Sequence, residues 1–98
     1  MTEAEALLIR MVEAEEKAPH ATAYMPMRLG SQHVLFHPGW ATDEIGGPPM
    51  STTQPLLNQL FVRGYIRLRG YLVTEKGLNR YTQLTGRVAA VEAASDSP

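Results

Sequence analysis

Near the start of the chain, apolar residues recur at the spacing of one face of an α-helix. Thr2 and Glu5 have the spacing of a capping box, and Pro19 stops the helix from continuing. The apolar face comprises Ala4, Leu7, Leu8, Met11, Val12 and Ala18. The pattern predicts a first helix that packs this face into the core.

A second helical pattern lies in the middle of the chain, at the apolar positions Leu56, Leu57, Leu60 and Phe61. It follows three residues whose hydroxyls can accept hydrogen bonds from a first helical turn: Ser51, Thr52 and Thr53. Pro55 is tolerated in a first turn, and Gly64 suits a left-handed C-terminal cap. These signals predict a helix over residues 51–64.

Residues 65–74 are rich in β-branched and aromatic side chains and are interrupted by the pair Arg69-Gly70, which is typical of a tight hairpin. With a two-residue turn there, the cross-strand pairs are Leu68–Tyr71, Arg67–Leu72 and Ile66–Val73. The first and third of these pairs then share one face of the hairpin. We expect that face to be buried.

The last predicted helix spans residues 75–94, with Thr74 as its cap and Glu75 at the positive end of its dipole. Within it, the spacing of a coiled coil is followed by Tyr81, Leu84, Val88 and Val91. The stripe is longer than so small a core needs, and it predicts a homodimer interface. Gly86 weakens the helix by about 1 kcal/mol relative to alanine, which allows a break there. Residues 95–98 are expected to be a disordered tail.

Residues 19–50 hold five prolines and four glycines, which exclude a long helix. A hairpin is predicted instead, in which Gly30-Ser31 forms a type II′ turn between strands 25–29 and 32–36. Pro26 confines the first of these strands to a sheet edge.

Two local strings resemble the winged helix-turn-helix family, particularly bacterial regulators of the MarR and PadR types. They are Leu-Asn-Gln-Leu-Phe-Val-Arg-Gly-Tyr-Ile at residues 57–66 and Leu-Val-Thr-Glu-Lys-Gly at residues 72–77. In that family a leucine-rich recognition helix ends in a Gly-aromatic-Ile turn, a two-stranded wing follows, and a Thr-x-Lys-Gly sequence opens the next helix. Thr42 can cap one or two turns through residues 43–45, a shortened counterpart of the family's second helix.

The resemblance implies an α+β fold, a small winged-helix domain of three or more helices with a two-stranded wing. The extra β-hairpin would replace or shorten the second helix. A single domain would cover residues 1–94, with 51–64 as recognition helix, 65–74 as wing and 75–94 as dimerisation helix. The length agrees, because a chain of 98 residues buries about two thirds of its unfolded surface, enough for one core.

Charge is unevenly distributed along the chain. Residues 61–87 carry six basic groups against Glu75 alone, which gives +5, whereas the remaining three basic and nine acidic groups give −6. The six basic residues are Arg63, Arg67, Arg69, Lys76, Arg80 and Arg87. This asymmetry predicts a basic face able to meet phosphates. The alternative is a solvated surface whose charges pair across elements.

Other classes of function find little support in the sequence. The absence of cysteine excludes disulfides and thiol catalysis, and no apolar run approaches the roughly 20 residues of a membrane span. With the acidic start of the chain, this predicts a cytoplasmic protein. His33 and His37 have the spacing of helical metal ligands, but on a strand they would lie roughly 13 Å apart. We expect no enzyme activity, no cofactor and no metal.

The resemblance implies a homodimer that presents two recognition helices to successive major grooves of double-stranded DNA. The side chains expected to approach base edges are Thr52, Thr53, Gln54 and Asn58. Arg63 is expected on the DNA backbone, and Arg67 and Arg69 can contact phosphates or enter a minor groove, of which the short turn favours phosphates. Lys76 beside free helix N–H groups would complete an anion site. No Lys or Arg precedes Arg63 in the reading helix, so low sequence specificity is expected.

The alternative function is a winged-helix module that binds a protein partner through residues 20–50. That function predicts an exposed apolar patch around Met25, Phe36 and Trp40. DNA binding instead predicts a continuous positive face built from Arg63, Arg67, Arg69 and Lys76.

Overall fold

Three helices and a two-stranded antiparallel sheet form an α+β domain in the computed structural model, which describes residues 1–40 and 47–94. The elements are α1 (Glu3–Lys17), β1 (Met25–Leu29), β2 (Gln32–Phe36), a 3-10 helix (Pro38–Trp40), α2 (Met50–Val62) and α3 (Glu75–Thr85). Within this described part of the chain, every helix is too short or too polar to cross a lipid bilayer.

Helix α1 forms as the sequence predicts. Thr2 Oγ1 accepts from Glu5 N (3.1 Å) and Thr2 N donates to Glu5 Oε1 (2.9 Å), which completes the capping box. Leu8, Met11 and Val12 of the predicted apolar face are fully buried. Both α2 and α3 pack against α1. Its partners in the core include Leu35, Trp40, Leu57, Leu60, Ile66, Val73 and Tyr81.

The predicted hairpin between α1 and α2 is present. Its register follows from the turn, with Leu29 opposite Gln32, and Gly30 takes the positive φ (64°) that favours glycine. β2 is also held on its other side, because Leu35 N donates to Pro48 O (2.9 Å). β1 therefore forms the outer edge, as predicted. The short helix predicted after Thr42 lies outside the described residues.

Helix α2 begins and ends slightly earlier than predicted. Its N-cap is Pro49, which makes no side-chain cap hydrogen bond, and Thr53 N already donates to Pro49 O (3.1 Å). The predicted hydroxyl cap is wrong, because residues 51–53 lie inside the helix and cannot cap it from outside. Pro55 likewise lies inside the helix rather than in its first turn. Gly64, with a φ of 79°, follows the end of the helix as expected.

The segment of residues 65–74, called the 65–74 hairpin from here on, has the predicted register. Ile66 pairs with Val73 as an isolated antiparallel bridge, and Arg67 N donates to Leu72 O (2.8 Å). Ile66 and Val73 are both buried, at 2% and 0% exposure. The pairing is shorter than two regular strands, so the hairpin depends on its packing for stability.

The turn of this hairpin is wider than predicted. The chain reverses over residues 68–71, and the positive φ angles fall on Gly70 (74°) and Tyr71 (58°). Leu68 is 62% exposed, so its predicted place on the buried face is wrong. The four-residue turn removes Leu68 from the cross-strand pairing that would have directed it inward.

Helix α3 is shorter than predicted, which breaks the coiled-coil stripe. The helix ends at Thr85, because Gly86 adopts a left-handed conformation (φ 73°) that costs glycine little. Tyr81 is fully buried in the core of its own chain, whereas Val88 is 83% exposed on an irregular segment. Leu84 and Val91 are half-buried. The predicted helix over residues 75–94 is therefore wrong in its length, and the homodimer stays a prediction.

The chain after α3 folds back over the domain. Ala90 N donates to Glu16 Oε2 (2.9 Å), and Ala94 N donates to Val73 O (3.0 Å). Residues 87–94 consequently cover the C-terminal end of α1 and one side of the 65–74 hairpin. The predicted tail of residues 95–98 lies outside the described residues.

Candidate nucleic-acid interface

Thr74 joins the end of α2 to the start of α3. Its Oγ1 donates to Gly64 O (2.6 Å) and accepts from Gly77 N (3.2 Å), which makes Thr74 the N-cap of α3. Its backbone N donates to Tyr65 O (3.0 Å). The Thr74 side chain therefore holds Gly64, just after the end of α2, against the first turn of α3. We call Gly64, Tyr65, Thr74 and Gly77 the Thr74 junction.

Close packing explains why position 77 of this junction is a glycine. A Cβ atom built on Gly77 would lie 2.1 Å from Tyr65 O and 2.7 Å from Val73 Cγ1. Because a carbonyl oxygen of the backbone cannot move away cheaply, only glycine fits. The two strings that resemble the winged-helix family thus meet in space and hold each other.

Two cations of the predicted interface lie at the Thr74 junction. The Lys76 side chain crosses Gly64, since a Cβ built there would lie 3.5 Å from Lys76 Cδ and 3.8 Å from its Nζ. The same Nζ is 5.9 Å from the centroid of the Tyr65 ring. Arg63, the C-cap of α2, immediately precedes Gly64 and is exposed. The junction therefore brings Arg63 and Lys76 to the same end of α2.

The other two predicted phosphate contacts lie on the 65–74 hairpin. Arg67 is half-buried and Arg69 is exposed at the turn. The turn does not project freely, because Tyr24 N donates to Gly70 O (2.8 Å) and a Cβ on Gly70 would lie 3.2 Å from Ala23 Cβ. The segment before β1 thus holds the hairpin tip.

The remaining two cations of the basic region face α1. Arg80 Nε donates to Glu5 Oε2 (3.1 Å), and its Nη2 donates to the same oxygen. The backbone hydrogen bond from Thr2 and the Arg80 guanidinium together lower the pKa of Glu5 to about 2. Arg87 Nη2 lies 3.9 Å from Glu16 Oε1. The charge asymmetry of the sequence is therefore partly an intramolecular pairing.

Four cations have no such partner. Among residues 1–40 and 47–94, no carboxylate lies within ion-pair distance of Arg63, Arg67, Arg69 or Lys76. Three of them are exposed and the fourth, Arg67, is half-buried. These four side chains are the positive groups that this part of the structure leaves available to an anionic ligand.

The predicted base-reading residues of α2 are not all available. Thr53 is only 2% exposed, so its predicted approach to base edges is wrong; the earlier start of α2 turns it toward the core. Gln54 Nε2 donates to Asn58 Oδ1 (3.1 Å), and both amides keep further donor and acceptor positions for hydrogen bonds to a ligand. Thr52 is exposed and its Oγ1 donates to Pro49 O (3.3 Å).

The solvent-facing surface of α2 also carries apolar side chains, and one of them, Phe61, was predicted on the buried face. Phe61 is 43% exposed and Val62 is 81% exposed. Asn58, Gln59 and Val62 line a shallow open depression together with Arg63. The buried stripe of α2 is narrow and consists of Thr53, Leu57 and Leu60. Phe61 follows Leu60 directly, so its side chain lies about 100° around the helix axis from that of Leu60, away from the stripe. The helix face is therefore uncharged before Arg63.

The apolar patch predicted for a protein partner is present only in part. Met25 is 57% exposed, and Met27 (37%) and Leu29 (40%) lie on the same face of β1. Phe36 is half-buried. Trp40 is in the core with its Nε1 donating to Arg10 O (3.3 Å), so its predicted surface position is wrong.

None of the protein-family models, curated proteins or solved structures compared with this chain matches it. The winged-helix resemblance accordingly stays a prediction that depends on the two strings and on the contacts between them.

Proposed function

We propose that this chain is a winged-helix DNA-binding module that grips the phosphate backbone of double-stranded DNA. The observation that carries this proposal is the placement of Arg63 and Lys76 at one end of α2, held by the Thr74 junction and in no ion pair with a described residue. Fixed cations of this kind release counterions when they contact phosphates.

The 65–74 hairpin would act as the wing. Arg67 and Arg69 would add phosphate contacts from a turn that is already fastened to the segment before β1, so little ordering would be needed on binding. Such a module would work in the compartment that holds the DNA, which is the cytoplasm in the bacterial family that the sequence resembles.

Sequence readout would be weak. Thr53 is withdrawn into the core, Gln54 and Asn58 bond to each other, and the exposed face of α2 carries Phe61 and Val62 instead of basic residues. Specific contacts to guanine come most often from Arg or Lys, which this face lacks. We therefore propose binding in which phosphate contacts dominate, with Thr52, Gln54 and Asn58 as the remaining polar groups on the helix. With the α3 stripe broken, binding of this kind needs no dimer.

The test is a salt series of binding to a fluorescent duplex of mixed sequence, measured by anisotropy. The variant Arg63→Gln with Lys76→Gln removes two unpaired cations. The matched control, Arg80→Gln with Arg87→Gln, removes the same charge from the two cations that face α1. We expect the first pair to weaken binding at least tenfold and to reduce the salt slope by about 2, since each phosphate contact contributes about 0.9.

The control variant, Arg80→Gln with Arg87→Gln, should leave the salt dependence of DNA binding nearly unchanged. Equal losses in the two double variants would show that only net charge matters and would remove the interface from Arg63 and Lys76. No binding at low salt by folded protein would refute the DNA-binding proposal. It would favour the second candidate, a protein-binding module that uses the exposed apolar face of β1, formed by Met25, Met27 and Leu29.

A further inference from the structure

A small cavity lies behind the 65–74 hairpin, between the C-terminal end of α1 and the segment that folds back after α3. Its volume is about 240 Å³. Ala18, Leu72 and Val91 contribute apolar wall, and the polar side chains around it are Glu15, His20 and Glu92. The cavity is therefore lined by three parts of the chain that the sequence pattern did not place together.

Glu15 is the buried polar group of this cavity, with only 6% of its surface exposed. Its Oε2 accepts from Tyr24 Oη (2.7 Å) and from Val73 N (3.3 Å). Among residues 1–40 and 47–94, no donor is hydrogen-bonded to Oε1 and no cation is paired with the carboxylate. Oε2 thus fixes the side chain in place beside the cavity that Glu15 lines, and Oε1 has no hydrogen bond to a described donor.

The position of Glu15 is unusual for a carboxylate that only supports the fold. Burial raises the pKa of Glu15 to about 7, which shows how poorly this site solvates the charged form. A buried carboxylate is normally compensated by a positive group. The described residues offer two neutral donors instead, so above pH 7, where the carboxyl is charged, the compensating positive group can come from a ligand.

We propose that this cavity binds a small primary ammonium ion carried on a short aliphatic group. The ammonium would donate to Glu15 Oε1, and the aliphatic part would lie against Leu72 and Val91. Glu92 at the cavity adds a second negative charge, which disfavours an anionic ligand. A metal ion would need several ligands, and no group of three metal-ligating side chains comes together in the described residues.

The size of the cavity limits the ligand. Sites for drug-sized molecules usually have volumes of about 300–1,000 Å³, so this cavity suits a molecule of only a few non-hydrogen atoms. A ligand of that size binds weakly, and we expect a dissociation constant on the order of 1 mM. This site is independent of the proposed DNA binding, because none of its lining residues belongs to the four unpaired cations.

The experiment is a titration of the full chain, labelled with ¹⁵N, by n-butylammonium at pH 8 and followed by NMR. Saturable shifts should appear at the amides of residues 72–73 and 91–94. n-Butanol, which has the same body without the charge, should bind at least tenfold more weakly, and butyrate should not bind. Equal binding of butanol or butyrate, or the absence of saturable shifts, would overturn the proposal.

Variants locate the charge that recognises the ligand. Glu15→Gln keeps an oxygen acceptor for Tyr24 and Val73 but removes the negative charge, and it should weaken butylammonium binding at least tenfold. Glu13→Gln is the matched control, because it removes the same charge from a half-buried α1 residue that does not line the cavity, and it should change the affinity less than threefold. Unchanged binding by Glu15→Gln would refute the assignment of Glu15.

A second variant tests the site without altering Glu15. Ala18 lines the cavity and is half-buried, so Ala18→Leu should fill part of the space and abolish the shifts while the carboxylate remains. Persistence of the same saturable shifts in a folded Ala18→Leu protein would place the ligand elsewhere.

Discussion

Two groups of cations in the C-terminal half of this protein differ in what surrounds them. Arg80 donates two hydrogen bonds to Glu5, and Arg87 approaches Glu16, so both face carboxylates of α1. Arg63 and Lys76 lie at the Thr74 junction and pair with no carboxylate of a described residue. The first group attaches α3 and the segment after it to α1, whereas the second is left to the solvent.

The difference shows why a count of charges along a sequence is a poor measure of a binding surface. Residues 61–87 carry a net charge of +5, but two of the six cations are used within the molecule. The other four, together with Glu75, leave +3 on the side of α2 and the 65–74 hairpin. Long-range attraction of a polyanion would depend on that smaller charge, and it would be screened at physiological salt.

The largest expected effect comes from breaking the junction that holds the unpaired group. In Gly77→Ala, the new Cβ would meet Tyr65 O at 2.1 Å, so the end of α2 and the start of α3 must separate. We expect a loss of unfolding free energy of about 3 kcal/mol or more, at the upper end for an overpacked site. Urea denaturation at neutral pH measures it.

The control for that change is Gly86→Ala. Gly86 has a positive φ of 73° but open space around it, so alanine there meets only backbone strain of about 1 kcal/mol. Gly77 does not have a positive φ, so the destabilisation expected from alanine at position 77 is steric. Equal losses in the two variants would mean that the junction is looser than its contacts indicate.

A second prediction sharpens the comparison with Glu15, the buried α1 carboxylate, which pairs with no cation among the described residues. The pKa of Glu15 is raised from 4.5 to about 7, mainly by burial, so the folded state holds this proton more tightly than the unfolded chain. The stabilisation that follows is complete below pH 4.5 and is lost as the pH rises through 7. We expect the wild type to lose about 2 kcal/mol, relative to Glu15→Gln, between pH 5 and pH 8.

The difference between the two proteins is the quantity to measure, because His37 acts in the opposite direction. Its burial lowers its pKa, so the folded state is stabilised as the pH rises. That contribution is common to the wild type and Glu15→Gln and cancels when their unfolding free energies are subtracted. Parallel stability curves for the two proteins would contradict the shift assigned to Glu15.

Local signals in the sequence were sufficient for several elements. The capping box of Thr2 and Glu5 defines the start of α1, and Gly30 defines the register of β1 and β2, because in each case the determining contacts are short in sequence. The junction strings were also informative, since the contacts of Thr74 with Gly64 and Gly77 span only 10 and 3 residues.

Prediction failed where a distant contact competes with a local pattern. The stripe from Tyr81 onward has coiled-coil spacing, but Tyr81 is taken by the core and Gly86 ends the helix. Helical spacing from Leu8 and Met11 does place Glu15 on the apolar face of α1, and this signal was available. Its partners Tyr24 and Val73 lie 9 and 58 residues away, so the site around it could not be assembled from the sequence.

The smallest expected effect converts a paired cation into an unpaired one. Glu5→Gln removes the charge that holds Arg80, and we expect a small fall in melting temperature with a modest, salt-sensitive gain in affinity for duplex DNA. Because the backbone hydrogen bond from Thr2 and the Arg80 guanidinium lower the pKa of Glu5 from 4.5 to about 2, the stabilisation is present above pH 4.5 and is lost as the pH falls through 2. The melting difference between the two proteins should therefore shrink in acid. Glu13→Gln removes the same charge from a half-buried residue that makes no ion pair with a described residue, and it should not show an equal gain in affinity.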